Sequence, residues 1–363
     1  MKVLFITNIP APYRIDFYNE LGRYVDLTVL FEAKGASDQG IRFNWNIDKI
    51  KNFRAIFLSE GNIKERTVDW KIFKYLKKRE YDKIVVTNYS YFTEMAAILY
   101  LKFMRIPYYM ETDGGIVRSE NALKRLYKRF LVSGARGYFS PSEKSDKYLE
   151  FYGADATKIY RYPFTSLSKA DILSRPLDHA EKLALRKELL VTEDFMILGV
   201  GQFIYRKGWD ILLKAADHIK AQCGIYIVGG VAGDEYRKLA DRISTKVHFC
   251  EFKSKDELAK YYKAADLFVL PTREDIWGLV INEALAYGLP VVTTDNCVAG
   301  LELIRNNENG YIIPCEDEKA LMEVCNKVII SNRKEMSEKC LEIIHQYTIE
   351  NMAMVHLKLF DMI

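Results

Sequence analysis

Two acidic residues in the second half of the chain have a spacing that suits ligand binding. Asp275 and Glu283 lie between an apolar run ending at Leu270 and the Gly-Leu-Pro sequence at 288–290. This pattern predicts a strand, an acidic loop and a helix that begins near Gly278. Asp275 would then lie just outside the helix N-terminus, with Glu283 about 7–8 Å further along the axis. Free N–H groups between them would bind an anion, with hydroxyls held at either end. The alternative is a helix cap and a solvated surface residue.

A basic pair follows an earlier predicted strand. The segment runs from Gly199 to Trp209, with Gly201 in the loop and Arg206 and Lys207 just before a helical pattern. Such side chains can neutralise a diphosphate, both to hold it and to stabilise it as it leaves. Cations at the start of a helix oppose its dipole, which favours binding over a purely structural role.

The first half of the chain has two further loops that follow predicted strands. In one, prolines stiffen a loop that begins with Asn8 and ends with Tyr13 and Arg14, which suit an anionic or sugar ligand. In the other, Asp113 precedes two glycines. Asp113 is either a residue for sugar or acceptor binding or an ordinary aspartate in a glycine turn.

Short apolar runs alternate with helical patterns along the whole chain, which predicts an α/β fold with parallel sheets. Most of the runs are continuously apolar, as expected of strands covered on both faces. The predicted strands are Val3–Thr7, Leu27–Phe31, Ala55–Ser59, Lys83–Thr87, Tyr108–Thr112, Gly137–Ser140, Ile159–Tyr162, Phe195–Val200, Ile225–Val228, Val247–Phe249, Leu267–Leu270, Val291–Thr294 and Tyr311–Ile313.

Thirteen strands are too many for one ordinary sheet, so two domains are predicted. Residues 169–192 are rich in charge and contain no predicted strand, so we expect the interdomain connection there. This places a first domain at 1–168 and a second at 193–347. Residues 348–363 have a helical pattern with no strand after it, and we expect this helix to pack back on the first domain.

Several classes of protein are disfavoured by composition. A net charge of +4 is small, and no nucleic-acid-binding motif is present, so we expect no nucleic-acid partner. The six cysteines form no C-x-x-C pair, and no metal-ligand spacing occurs, so no metal is expected. The first ten residues predict a strand rather than a signal peptide, and no apolar run reaches the ~20 residues of a membrane span. A cytoplasmic protein is expected.

The segment from Pro271 to Val292 closely resembles the Glu-x7-Glu block of glycosyltransferase family 4, which are retaining enzymes of the GT-B fold. Asp275 stands where the family has its first Glu, which contacts the donor sugar, and Glu283 stands where the second binds the ribose. Lys207 matches the lysine of the family's Gly-Arg-Leu…Lys-Gly block, whereas Gln202 replaces its usual arginine, a charge that Arg206 would supply.

The resemblance implies two Rossmann-like domains that face each other across a cleft, with the donor site on the second and the acceptor site on the first. Asp275, Lys207 and Asp113 are the expected catalytic residues, the last at a position where a histidine is common in the family. On the acceptor side we expect Tyr13, Arg14 and Asn8. The expected donor-binding residues are Glu283, Arg206, Gln202, Gly201, Gly278, Leu279, Phe252, Lys253 and Gly229.

The implied reaction is transfer of a sugar, with retention, from a nucleotide diphosphate sugar to a hydroxyl of a glycan or lipid-linked glycan. A UDP-sugar is the expected donor, no cofactor is expected, and assembly of a cell-surface polysaccharide such as capsule is the expected role. One alternative is a nucleotide-sugar epimerase or hydrolase on the same plan. Another is an inactive GT-B subunit that binds a partner transferase, an idea supported by the departures at Gln202 and Asp275.

Two basic runs in the first half of the chain are not part of the predicted donor or acceptor sites. They extend from Lys71 to Lys83 and from Arg118 to Arg136. Such runs are commonly solvated helix faces. The alternative is attachment to an anionic membrane surface, which predicts a peripheral location on the inner face of the plasma membrane.

Overall fold

The protein, described here by a computed structural model over residues 1–35, 47–219 and 222–362, divides into two compact units. The first contains residues 1–166 and 348–363, and the second contains residues 167–347. Each unit has its own parallel sheet with helices around it. None of the described helices is long and apolar enough to cross a membrane.

The first unit contains a seven-stranded sheet in the order β3-β2-β1-β4-β5-β6-β7. Val3 to Ile6 of β1 are all inaccessible to solvent, as expected of a central parallel strand. The strands are β1 (Lys2–Thr7), β2 (Asp26–Gly35), β3 (Arg54–Asn62), β4 (Lys83–Val86), β5 (Tyr109–Glu111), β6 (Gly137–Ser140) and β7 (Ile159–Arg161). The helices within 1–166 are α1 (Pro12–Leu21), α2 (Phe92–Phe103), α3 (Ala122–Val132) and α4 (Glu143–Phe151).

The second unit contains a six-stranded sheet in the order β10-β9-β8-β11-β12-β13. Its strands are β8 (Phe195–Val200), β9 (Cys223–Val228), β10 (Lys246–Cys250), β11 (Leu267–Leu270), β12 (Val291–Thr294) and β13 (Gly310–Ile313). Its helices are α5 (His179–Glu188), α6 (Trp209–Ala216), α7 (Asp234–Ala240), α8 (Lys255–Ala264), α9 (Leu279–Ala286), α10 (Val298–Leu303), α11 (Glu318–Ile329) and α12 (Arg333–Ile344). In both sheets the strand order reverses direction beside the first strand of the unit, as in Rossmann-like folds.

All thirteen predicted strands are present. Most of their ends agree within two residues, but β2 and β3 run three or four residues further than predicted. These two strands pair from Thr28 and Arg54 as far as Gly35 and Asn62. The ends of both strands are mostly polar, so a prediction based on continuous apolar runs stopped before them.

The segment 169–192, which we predicted as the interdomain connection, is grouped with the second unit. It contains α5, whose basic side chains bind the carbonyl groups at the end of α8. Lys182 donates to the carbonyl oxygen of Ala265 at 2.7 Å, and Arg186 donates to that of Ala264 at 3.0 Å. Cations stabilise the C-terminus of a helix, so this amphipathic segment packs even though it contains no strand.

The last helix, α13 (Ile349–Met362), belongs to the first unit. His356 and Phe360 pack among aromatic rings of α1 and the sheet, with the His356 ring 4.9 Å from that of Phe17. Of the two basic runs, the first is helical only over the 3₁₀ turn Trp70–Tyr75, so it does not form a long helix face. The second contains α3.

Candidate active site

The loops that follow β8 and β11 lie side by side, because these two strands are neighbours in the second sheet. This is the point where the strand order reverses, and ligands of open α/β sheets bind outside the carboxyl ends of the strands at such a point. The two segments whose residue types suggested chemistry are these two loops. The sheet therefore brings the basic pair and the acidic block together.

Backbone contacts hold the two loops against each other. Arg206 and Lys207 lie in a 3₁₀ turn that ends at Gly208, where φ is 71°. A Cβ at Gly208 would lie 2.0 Å from the carbonyl oxygen of Pro271, so only glycine fits there. The carbonyl oxygen of Arg206 accepts from the backbone of Arg273 and from the hydroxyl of Thr272, both at 2.8 Å.

Asp275 forms the centre of the charged cluster. Its carboxylate is 2.6 Å from the Lys207 ammonium and 3.2 Å from the Arg206 guanidinium. Asp275 is only 7% exposed, and Arg206 also donates to the carbonyl oxygen of Glu274 at 2.7 Å. We expected Asp275 to touch a sugar and Lys207 a diphosphate. The structure adds a direct contact between them, through which the carboxylate orients both cations.

Arg273 is an anchor of this site that the sequence did not reveal. Its guanidinium makes two hydrogen bonds of 2.9 Å to Asp210 and lies 3.8 Å from the ring centroid of Tyr205. It also donates to Glu316 at 2.8 Å. These contacts join the loop after β11 to the start of α6. The partners are 63 and 43 residues away in the chain, so no local pattern connects them.

Helix α9 begins beside the cluster. Gly278 precedes it with φ of 104°, and a Cβ there would lie 3.0 Å from the sulfur of Cys297, so glycine is needed for two reasons. The first amides of a helix, which begin here at Leu279, have no partner within the helix and carry a partial positive charge. Asp275, the cations and the helix dipole therefore meet at one place.

Glu283 lies one turn into α9 and is held by the neighbouring helix α8. The hydroxyl of Tyr262 donates to its carboxylate at 2.9 Å. Burial raises the pKa of Glu283, and the hydrogen bond from Tyr262 only partly opposes this effect. Glu283 is about 6 Å along the axis from Leu279 at 1.5 Å per residue. The helix begins next to Gly278, as the sequence predicted.

The remaining donor-side residues surround the carboxyl ends of β8, β9 and β10. A Cβ at Gly229 would lie 1.9 Å from the carbonyl oxygen of Gly201, so these two backbones touch. Phe252 packs on Gly230 and is 57% exposed, with Lys253 beside it. Gln202 takes part through its backbone, since its carbonyl oxygen accepts from the indole of Trp209 at 3.0 Å.

The predicted acceptor-side residues form a second cluster, at the carboxyl edge of the first sheet. The hydroxyl of Tyr13 donates to Asp113 at 2.9 Å, and the guanidinium of Arg14 pairs with the same carboxylate. Burial raises the pKa of Asp113, against the opposing effect of Arg14. Asn8 lies outside this cluster, and its side chain accepts from the backbone of Ile9 at 2.7 Å.

Arg14 is 4% exposed, because it also pairs with a buried carboxylate, Glu111, at 2.6 Å. Glu111 in turn accepts from His356 of α13 at 3.0 Å, and the other ring nitrogen of His356 faces the carbonyl oxygen of Met352. Burial alone would raise the pKa of Glu111, but Arg14 and His356 lower it. Arg14 therefore has an internal role in holding Asp113, which differs from the ligand contact that we expected.

We expect Glu111→Gln to lower the free energy of unfolding by about 3 kcal/mol, since it leaves the buried Arg14 guanidinium without this carboxylate. Urea denaturation measures the change, with Glu143→Gln as the control. Glu143 is an exposed partner of Lys147 on α4, and its loss should leave stability unchanged.

Because the pKa of Glu111 is lowered by folding, the stabilisation that Glu111 provides is present above its unfolded pKa of ~4.3 and disappears as the pH falls through its folded pKa. If Glu111→Gln lowered the free energy of unfolding equally at pH 7 and pH 3, this role of Glu111 would be contradicted.

Residues 181–345 match the family described as Glycosyl transferases group 1. Residues 181–345, a little under half of the chain, therefore resemble a group 1 glycosyltransferase domain. The matched range contains every donor-side residue discussed above. The match does not distinguish glycosyltransferase family 4, so assignment to that family stays a prediction.

Relatives of the group 1 domain include a D-inositol 3-phosphate glycosyltransferase of Xylanimonas cellulosilytica, 28% identical over 52% of this chain and 47% of the relative. A 41.2 kDa protein in the cps region of Klebsiella pneumoniae, itself uncharacterised, is 32% identical over 46% of this chain and 47% of the relative. The chain thus spans about half the length of these curated relatives.

Solved structures resemble the whole chain. Anabaena Alr3699/HepE in complex with UDP has a TM-score of 0.80 at 17% identity, with 100% of both chains covered. The same protein in complex with UDP-glucose has a TM-score of 0.75 at 17% identity, with 100% of this chain and 99% of that chain covered. The predicted fold class, α/β with two Rossmann-like domains of the GT-B type, is confirmed.

Proposed function

We propose that this protein is a retaining glycosyltransferase that moves a sugar from a UDP-sugar to a hydroxyl of a glycan or lipid-linked glycan. The observation that carries the proposal is the contact of Asp275 with Lys207 and Arg206 at the start of α9. Two cations and a helix N-terminus together suit a diphosphate. The complexes of the Anabaena protein with UDP and UDP-glucose support uracil as the base and a nucleotide sugar as the donor.

In the proposed reaction, the bond between the anomeric carbon and the diphosphate oxygen breaks, and its electron pair stays on the diphosphate. Lys207 and the amides of α9 stabilise that growing charge without having to reorganise, because Asp275 already holds the lysine in place. Glu283 binds ribose hydroxyls, and Phe252 offers a ring face to the base. The acceptor oxygen forms the new bond to the anomeric carbon, and its proton passes to the departing diphosphate oxygen. Asp113 is proposed to position the acceptor hydroxyl. Retention of configuration rests on the resemblance to family 4.

No metal is assigned a part in this proposal. Arg206 and Lys207 supply the positive charge that a divalent ion would otherwise supply at a diphosphate. Among the described residues, no group of three or more His, Cys, Asp or Glu side chains is placed to hold a metal ion. Transfer that persists at full rate in excess EDTA would support metal independence.

A thermal-shift comparison of UDP, GDP and ADP tests the donor proposal. A ligand at 100 times its Kd adds about 2.7 kcal/mol to stability. We expect UDP to raise Tm the most, and we expect this rise to be smaller in Lys207→Ala. Failure of all three nucleotides to raise Tm would contradict the proposal and favour the inactive partner subunit. Complete turnover of UDP-glucose without an acceptor would favour the hydrolase or epimerase.

We also infer that the protein attaches to the anionic inner face of the plasma membrane through α3. This helix presents an apolar face to solvent, with Leu123 80%, Leu126 65% and Phe130 57% exposed. Lys124 and Arg129 flank that face and are also exposed. An apolar stripe with cations on its borders matches the acyl chains and charged headgroups of an anionic bilayer.

Vesicle sedimentation tests this attachment. Leu126→Asp combined with Phe130→Asp should reduce binding to vesicles that contain phosphatidylglycerol by at least tenfold, because it replaces two apolar side chains that would enter the bilayer with negative charges. Leu190→Asp is the control, since Leu190 is 83% exposed and lies in the second unit. Equal binding of both variants would contradict the proposed surface, as would equal binding of the wild type to neutral and anionic vesicles.

A further inference from the structure

A cavity of about 380 Å³ opens at the carboxyl edge of the first sheet. It lies between the ends of β2 and β3 and the start of α2. Its volume falls within the ~300–1,000 Å³ range of small-molecule sites. Most of the residues that line it carry a side chain that can form hydrogen bonds, among them Ser59, Asn62, Thr67, Asp69 and Thr93. None of the residues placed in the two charged clusters above lines it.

Glu32 forms part of the cavity wall and is an unusual residue for the interior. It is 5% exposed, and one of its carboxylate oxygens has no hydrogen-bond partner. Burial raises the pKa of Glu32 to about 7. Glu94 lies near it, is fully buried and has both oxygens without a partner, and burial together with the charge of Glu32 raises its pKa. A buried polar group without a partner is costly, and Glu32, unlike Glu94, lines the cavity, where a ligand could supply hydrogen bonds to it.

Trp70 lies at the mouth of the same cavity. Its side chain is 74% exposed, which is rare for an indole unless a ligand or partner covers it. It is nevertheless held in place: its ring packs on Phe73 at 5.7 Å, and Asp69 caps the 3₁₀ turn by accepting from the backbone of Lys71 at 3.0 Å. A fixed, exposed ring face therefore stands beside a polar cavity.

We propose that this cavity binds a sugar residue of the acceptor, with Glu32 hydrogen-bonded to its hydroxyls and Trp70 packed on the apolar face of its ring. A hydroxyl-rich ring has both the donors that a carboxylate needs and a C–H face that suits an indole. A simple cation fits less well, because Lys64 and Lys71 line the same cavity. The assignment of the sugar as an acceptor rests on the proposed function, whereas sugar binding itself does not.

Saturation-transfer NMR on the whole chain tests the site, with methyl α- and β-glycosides of glucose, galactose and mannose as probes. At least one glycoside should bind, and Trp70→Ala should weaken its binding about tenfold, on the scale of one aromatic contact with its buried area. Trp70→Phe should retain part of the binding. Measured above pH 8, where Glu32 is ionised, Glu32→Gln should also weaken binding about tenfold, the scale of a hydrogen bond to a charged group.

Tyr24→Ala is the matched control, because Tyr24 is an exposed aromatic residue of the same unit, 51% accessible. The site is overturned if no glycoside binds, or if Trp70→Ala and Tyr24→Ala bind equally well. The UDP thermal shift, measured on the same samples, separates the two proposals. A rise in Tm with UDP, without any glycoside binding, contradicts only the cavity proposal. Binding that depends on Trp70, without any nucleotide shift, keeps the sugar site and contradicts the donor proposal.

Discussion

Lys207→Ala is expected to lower kcat/KM for sugar transfer by at least ~10²-fold, the scale of one lost electrostatic contact to a developing charge. The loss should fall mainly on kcat, because the diphosphate carries more charge as it leaves than in the bound donor. Initial rates with UDP-glucose, measured as UDP release, give both constants. Lys207→Arg keeps the charge but changes its shape, and it should recover only part of the rate.

Lys214→Ala is the matched control for this experiment. Lys214 is half-exposed on α6, seven residues further along, and its distance to Asp210 is 3.8 Å. Its removal takes one positive charge from the same unit without touching the cluster, so transfer should be unchanged. A loss of similar size in both variants would mean that net charge matters more than the position of Lys207. Near-wild-type transfer by Lys207→Ala would contradict the assignment of Lys207 to the leaving diphosphate.

The contact between Lys207 and Asp275 makes a second measurement informative. Because the carboxylate is 7% exposed, removing the lysine leaves Arg206 as its partner in the cluster. Effects of the two side chains on transfer should therefore not add. In a double-mutant cycle, Asp275→Asn should cost much less in the Lys207→Ala background than in the wild type. Independent roles for the two residues would instead give additive losses.

The strands and caps could be predicted because their signals are local. A parallel strand covered on both faces is a short apolar run, and β8, β11 and β12 begin and end at the predicted residues. The capping box at the start of α8 is equally local, because it joins Ser254 to Glu257, only three positions further along the chain. Such features need no knowledge of the rest of the chain.

The charged clusters could be predicted only in part, because their contacts join distant segments. The loops after β8 and β11 were selected from residue types, but the pairing of Lys207 with Asp275 depends on the strand order that places them together. Glu111 and His356 are 245 residues apart, and neither lies in a motif. His356 reads in sequence as one residue of an amphipathic helix. Only the packing of α13 shows that it holds Glu111, which in turn holds Arg14.

The two units apply the same physical principle at the same place in the fold. Each puts an aspartate at the carboxyl edge of its sheet and holds it with a neighbouring cation, Lys207 for Asp275 and Arg14 for Asp113. The cations differ in accessibility: Arg14 is 4% exposed, whereas Lys207 is 12% exposed and Arg206, the second cation at Asp275, is 42% exposed. A diphosphate is neutralised only by cations that it can reach, and a preorganised cation does not have to reorient when the charge of the substrate changes. The cluster in the second unit, which contains an accessible cation, is therefore the better candidate for contact with a diphosphate.

Glu283→Gln is expected to lower kcat/KM by about 10²-fold, with the larger part in KM for the donor, because a carboxylate bound to ribose hydroxyls acts in the ground state and transition state alike. The amide keeps the shape and can still accept from Tyr262, so the fold should be preserved. Burial raises the pKa of Glu283, so donor affinity of the wild type should fall as the pH falls through that value. Donor affinity of Glu283→Gln should lack this dependence.

Tyr262→Phe is the matched control for Glu283→Gln, because it removes the hydrogen bond and leaves the carboxylate in place. We expect a much smaller loss of donor affinity, together with a further rise in the pKa of Glu283, since that hydrogen bond lowers it. The pH profile of donor KM should therefore move to higher pH in Tyr262→Phe and flatten in Glu283→Gln. If both variants instead keep the wild-type profile, Glu283 does not contact the donor. The predicted spacing about the start of α9 would then be a structural feature only.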